Sequence, residues 1–225
     1  MDGIPMVSPV SNVARPPNRA EAWILVAVVA GALLASALNP TDRMTWFMEV
    51  VWVFIGLPLI AWKWRTFPLT LLLSVLLTLH ALVLIHGGAY TYAETPLGFA
   101  MRDAARALGF EVLRNPWDRL GHFMQGFVPA LLARELLLRL TPLRRGGWVT
   151  YLCIAAALSF SAFFEMLEWW AALVYGADAD AFLATQGDVW DTQWDMFMAL
   201  IGATSALLLL SRVHDRQLAR LEAER

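Results

Sequence analysis

The chain has almost no cysteine and little charge. Cys153 is its single cysteine in 225 residues, which excludes an intrachain disulfide and argues against a thiolate zinc site. It lies inside an apolar run and reads as a small buried side chain. Charged residues make up 16% of the sequence, against about 25% in an average soluble domain. The formal net charge is −2, so nothing points to nucleic acid as a partner.

Apolar sequence takes the place of what is missing. Hydrophobic residues reach 59% and the mean hydropathy is +0.55. Six runs approach the ~20 residues needed to cross a bilayer: residues 21–38, 44–62, 67–87, 118–140, 148–175 and 190–211. The expected fold is all-α, a polytopic membrane helix bundle of six transmembrane helices surrounded by membrane lipids. Residues 1–19, with Pro5, Pro9, Pro16 and Pro17, read as a flexible cytoplasmic tail. Residues 20–211 form a single transmembrane domain, and 212–225 a charged, helical cytoplasmic tail. Phe67-Pro68, Thr95-Pro96 and Asn115-Pro116 mark helix starts, where the missing N–H of proline does no harm. The first run has a second reading. Ile24–Leu34 followed by Ala35-Ser36-Ala37 also fits a cleavable signal peptide, which would leave five spans in the same orientation.

Orientation follows from Lys and Arg. With the N-terminus inside, Arg15, Arg19, Lys63, Arg65, Arg139, Arg144, Arg145, Arg212, Arg216, Arg220 and Arg225 are cytoplasmic. Only Arg43, Arg102, Arg106, Arg114 and Arg119 fall outside, which places both termini in the cytoplasm. Residues 88–117 form the one long outer connection. Within it Leu97, Met101, Ala104, Ala105 and Leu108 recur at helical spacing opposite Arg102, Asp103 and Arg106. That pattern predicts an amphipathic helix in the outer interface, a candidate lid over 97–108.

In such a chain ionisable groups cost ~2.5–3.5 kcal/mol each on insertion scales. Even so, Glu94, Asp118, Glu165, Glu168, Asp188, Asp191 and Asp195, with His80, His86 and His122, all fall at the outer ends of apolar runs. Ser161, Glu165 and Glu168 share one helical stripe, and Asp188, Asp191 and Asp195 share another. Asp118 and His122 sit four apart, followed by Gln125. Charges facing lipid are excluded on cost, so these stripes should face one another inside the bundle. Carboxylates with imidazole suit a divalent ion such as Zn, Mn or Fe. The expected ligands are His122, Glu165, Asp191 and Asp195, with His86 as a possible fifth. Glu168 is the expected general base.

Structural roles compete at several positions. Asp188 suits an N-cap, Asp118 the positive end of a helix dipole, Arg119 an ion pair with one of the acids, and His80 a hydrogen-bonded packing site. Arg134-Glu135, deeper in the fourth run, reads as an internal ion pair or a snorkelling pair.

Three motifs resemble the YjdF family of bacterial inner-membrane proteins. They are His86-Gly-Gly-Ala-Tyr90-Thr-Tyr92-Ala-Glu94-Thr-Pro96, Asn115-Pro-Trp-Asp118-Arg-Leu-Gly-His122-Phe-Met-Gln125-Gly-Phe-Val-Pro129 and Gln186-Gly-Asp188-Val-Trp-Asp191-Thr-Gln-Trp194-Asp195-Met. The resemblance covers roughly residues 40–212. It implies a multi-span protein of the inner membrane and no particular substrate. Asp118-Arg119-Leu-Gly-His122 is also similar, more loosely, to a motif of VanZ-like proteins, with Arg119 in place of their lysine.

Together these features predict a periplasm-facing intramembrane site doing metal-dependent chemistry on a lipid or lipid-linked envelope substrate. A proton- or cation-coupled transporter and a non-catalytic scaffold are the competing readings.

Overall fold

The computed structural model describes residues 16–176 and 180–223. Most of the expected N-terminal tail, residues 1–15, lies outside the described residues, as do 177–179 and 224–225. The chain folds as α1 (Arg19–Leu38), α2 (Arg43–Lys63), α3 (Leu71–Tyr90), a 3₁₀ turn (Tyr92–Glu94), α4 (Pro96–Ala107), α5 (Trp117–Leu140), α6 (Gly147–Tyr175), the short α7 (Asp180–Leu183) and α8 (Asp191–Ala223). No strand occurs among the described residues.

Local chemistry sets the starts. Asn18 opens α1 with a capping box: its Oδ1 accepts the Glu21 N–H, and Glu21 Oε2 accepts the Asn18 N–H, both at 2.9 Å. Asp42 caps α2 through the Thr45 N–H. Thr70 caps α3 by accepting the Leu73 N–H at 3.3 Å, so this helix begins at Leu71 and not at the expected Phe67-Pro68. Pro96 is the first residue of α4, where proline costs nothing. The expected charged tail simply continues α8 without a break.

Among the described residues five helices, α1, α2, α3, α6 and α8, are long and apolar enough to cross a membrane. The expected fourth span, α5, is helical over the predicted stretch but is not one of these five. It carries Asp118, Arg119, His122, Arg134, Glu135 and Arg139, and all but Arg119 and Arg139 are buried. The reason is position. Helix α5 packs against α3, α6 and α8, so its polar groups meet protein.

The α5–α8 contact is the closest. A Cβ on Gly126 would overlap the Ala199 carbonyl, and one on Gly202 would overlap that of Phe123. Two glycines therefore bring the backbones together and carry the first turns of α5 and α8 into register. Helices α1 and α2 pack on α3 from the other side. Trp46 Nε1 donates to Ser36 Oγ at 2.9 Å, and Val29 of α1 sits in a core cluster with Val50, Val53 and Ile85.

At the end of the bundle where α3 begins, Arg134 and Glu135 do not pair with each other. Adjacent helical residues point ~100° apart. Glu135, fully buried, accepts from Thr70 Oγ1 (2.8 Å), Arg139 (2.5 Å) and His214 Nε2 (2.9 Å). Arg134 donates to Asp215 at 2.7 Å and contacts His214 Nδ1 at 3.2 Å. The carboxylate also accepts the Thr70 N–H at 3.1 Å. This network anchors the start of α3 to α5 and α8.

Candidate functional site

The opposite end gathers most of the predicted acids. Asp118 and His122 come from the start of α5, Glu165 and Glu168 from α6, and Asp191 and Asp195 from the first turns of α8. All six are buried. Glu94 is exposed on the 3₁₀ turn. His86 packs its ring against Tyr90 and Trp117, with centroids at 5.0 and 4.7 Å.

Two arginines divide the cluster. Arg119 reaches Asp195, Asp191 (2.7 Å), Asp188 (3.1 Å) and Asp118 (3.3 Å). Arg114 reaches Asp191 (2.6 Å), Asp118 (2.7 Å) and Asp188 (3.5 Å). The four aspartates are thus tied by two cations into one lattice, as burial of charge demands. Asp188 Oδ1 also accepts the Trp190 N–H at 2.9 Å, in the turn that leads into α8. Arg114 is a partner the sequence reading overlooked. Its spacing, four residues ahead of Asp118, was the available signal.

His122 lies between this lattice and the glutamates. Its Nε2 is 3.5 Å from Asp118 Oδ1 and 3.7 Å from Asp195 Oδ1. Its Nδ1 is 2.9 Å from Gln125 Oε1 and 3.7 Å from Glu165 Oε1. The donor atoms of His122, Glu165 and Glu168 lie within 4.8 Å of one another, as do those of Asp118, His122 and Asp195. His86 and Asp191 belong to neither group. Only the second group is engaged by arginine. In the first, Glu165 Oε1 and Ser161 Oγ are buried with no hydrogen-bond partner among the described residues.

This chamber opens into a cavity of about 1310 Å³. Glu49, His80, Tyr92, His122, Gln125 and Glu168 line its polar end. Below them the wall is mostly apolar, with Ile55, Leu59 and Ile60 of α2 and Leu132, Ala133 and Leu136 of α5, and it takes in Ser74, Thr78, Arg19 and Arg65 as well. Glu49 was missed in the sequence, although a lone acid within an apolar span is itself a signal. Tyr92 stands in the sequence within the His86–Pro96 motif. Its ring is inserted between α3 and α5, where a Cβ on Gly87 or Gly121 would overlap it. Thr91, at φ 57, turns the chain out of α3 to make that insertion. The Tyr92 hydroxyl donates to Glu49. Burial and the Glu49 carboxyl push the phenol well above its usual range, so it stays a donor.

The family model for a predicted membrane protein, DUF2238, matches residues 21–216. Inner membrane protein YjdF of Escherichia coli (strain K12) is 49% identical over 188 residues, covering 84% of this chain and 88% of that protein. No solved structure matches.

Proposed function

The chain belongs to the DUF2238 family of predicted membrane proteins, and on that premise we propose that it is a metal-dependent enzyme of the inner membrane acting on a lipid or lipid-linked envelope substrate. The multi-pass location rests on the named relative and the five apolar helices. In this reading α5 is a sixth span, enclosed by the others. Both termini are cytoplasmic, the His122 end faces the periplasm, and α4 lies in the outer interface. Leu97, Met101 and Leu108, all exposed, supply its apolar side.

The observation that carries the proposal is the orphaned Glu165 Oε1 beside His122 and Glu168. A buried carboxylate oxygen without a donor is costly, and a divalent cation removes that cost. One imidazole and two carboxylates suit zinc, manganese or iron and match the three-donor sets of catalytic sites. A cation held there would polarise a phosphoryl or carbonyl oxygen and acidify a bound water. The aspartate lattice then has a separate role. Asp118 and Asp195, fixed by Arg114 and Arg119, face His122 Nε2 and orient the ring so that Nδ1 lies on the side of Gln125 and Glu165, the carboxylate–histidine arrangement of metal sites. Glu168 belongs to the donor group and also lines the cavity. It therefore stands where substrate meets the site and is assigned proton transfer. His86 and Asp191 are left with packing and ion-pair roles. Transport is disfavoured by the mostly apolar wall between Glu49 and the Arg19 and Arg65 end of the cavity, which suits a hydrocarbon chain better than a hydrated ion.

Elemental analysis of purified protein tests this reading. One divalent ion per chain is expected in the wild type and in His86→Ala, with loss in His122→Ala. Metal-free wild-type protein from metal-replete cells overturns it.

A further inference from the structure

The cavity is larger than a small-molecule site and unequal at its two ends. Its volume of about 1310 Å³ exceeds the ~300–1,000 Å³ of drug-sized pockets. On α2 it runs from Glu49 to Trp62, about 20 Å at 1.5 Å per residue. That is longer than half the ~30 Å hydrocarbon core of a bilayer. Such a slot admits a whole acyl chain. At the polar end the rings of Trp52 and Phe160 meet at 5.1 Å and join α2 to α6. Further along, Gly56 faces open space, with nothing within 4 Å of a Cβ built on it.

The charge at the polar end selects the head group. Glu49, Asp118 and Glu168 line it, and the arginines that line the cavity, Arg19 and Arg65, lie at the other end of α1 and α2. Asp118 is held by Arg114 and Arg119 and Glu168 belongs to the His122 donor group, which leaves Glu49 without a cation. Glu49 is 3% exposed, and its Oε2 has no partner among the described residues. His80, 9% exposed, leaves Nε2 without one. These are two unsatisfied polar groups, each more than nine-tenths buried, in the wall of one apolar slot.

We infer that the cavity binds a lipid with an ammonium head group, its amine on Glu49 beside Tyr92, its phosphate toward His80 and His122, and its acyl chain between α2 and α5. An ammonium supplies three donors and the positive charge that Glu49 lacks, while a polyol head brings no cation to that carboxyl. The inference deepens the proposed reading by naming the substrate class, and it rests on that reading of the site as lipid-handling.

The test is native mass spectrometry of the full-length protein, released from detergent with phosphatidylethanolamine or phosphatidylglycerol of identical chains. The wild type is expected to retain one phosphatidylethanolamine about tenfold better, the size of one charge-assisted hydrogen bond. Glu49→Gln abolishes the preference, and Gly56→Phe, which fills the slot, abolishes retention of both. Metal content stays at the wild-type level in both variants. Equal retention of the two lipids, preference for phosphatidylglycerol, or a preference that survives Glu49→Gln overturns the inference. Metal-free protein that still prefers phosphatidylethanolamine overturns only the metal reading and leaves the lipid site standing.

Discussion

His122 is the residue on which the two halves of the site turn. Both its ring nitrogens face acceptors, Gln125 Oε1 on one side and two aspartates on the other. A cation bound at Nδ1 takes the place of a proton there. Metal binding should therefore release a proton and tighten as pH rises. Calorimetry with Zn²⁺ in two buffers of different ionisation enthalpy measures that release directly, and a heat independent of buffer contradicts it. Arg119 is the second critical side chain. Arg119→Met leaves Asp191 and Asp195 short of a buried partner, a loss of about 3–5 kcal/mol. Arg119→Lys should recover only part of it, since one ammonium cannot match a fork that reaches four carboxylates. Thermal unfolding in detergent orders the three proteins, and equal midpoints for the wild type and the Arg119→Lys variant would refute the bridging role. At this scale the sequence was partly legible. Helical spacing brought Asp118, His122, Glu165, Glu168, Asp191 and Asp195 to one place. An ion pair of Arg119 with one acid was legible too; the share of Arg114 was not, because Arg114 lies before α5 and meets Asp191 only through the tertiary fold.

Among the elements, the α5–α8 pair determines whether the site exists. Gly126 and Gly202 allow the backbones to touch, and their contact sets the facing of His122 and Asp195. Gly202→Ala places a methyl on the Phe123 carbonyl and should cost about 1–3 kcal/mol as overpacking. Gly31→Ala, with nothing within 4 Å, should be neutral or slightly stabilising, since glycine is a poor helix former. The same melting experiment compares them, and equal effects would contradict the close-contact account. Helix positions were largely visible in the sequence because apolar run length marks them. The start of α3 was misplaced because Thr70, not the Phe67-Pro68 step, provides the cap. Arg134-Glu135 was misread as a pair because the true partners, His214 and Asp215, lie in what looked like a solvated tail.

For the whole molecule, topology gives function its direction. The proposed orientation puts residues 88–117 outside and 141–146 inside. In a Cys153→Ala background, Glu111→Cys should react with a membrane-impermeant maleimide on intact spheroplasts. Arg144→Cys should react only after permeabilisation. The reverse pattern would turn the site toward the cytoplasm. The cavity was not legible in the sequence at all. It arises because α2 and α5 are both packed on α3 and leave a gap between them, a property of packing that no single run records.

The central claim is that the cation sits on His122 with Glu165 and Glu168, apart from the aspartates held by arginine. Electron spin-echo spectroscopy of the Mn²⁺-loaded protein addresses it most directly, since an imidazole nitrogen bound to manganese modulates the echo. The account predicts modulation from one histidine, present in the wild type, retained in His86→Ala and absent in His122→Ala. Modulation that survives His122→Ala, or none in the wild type, contradicts it.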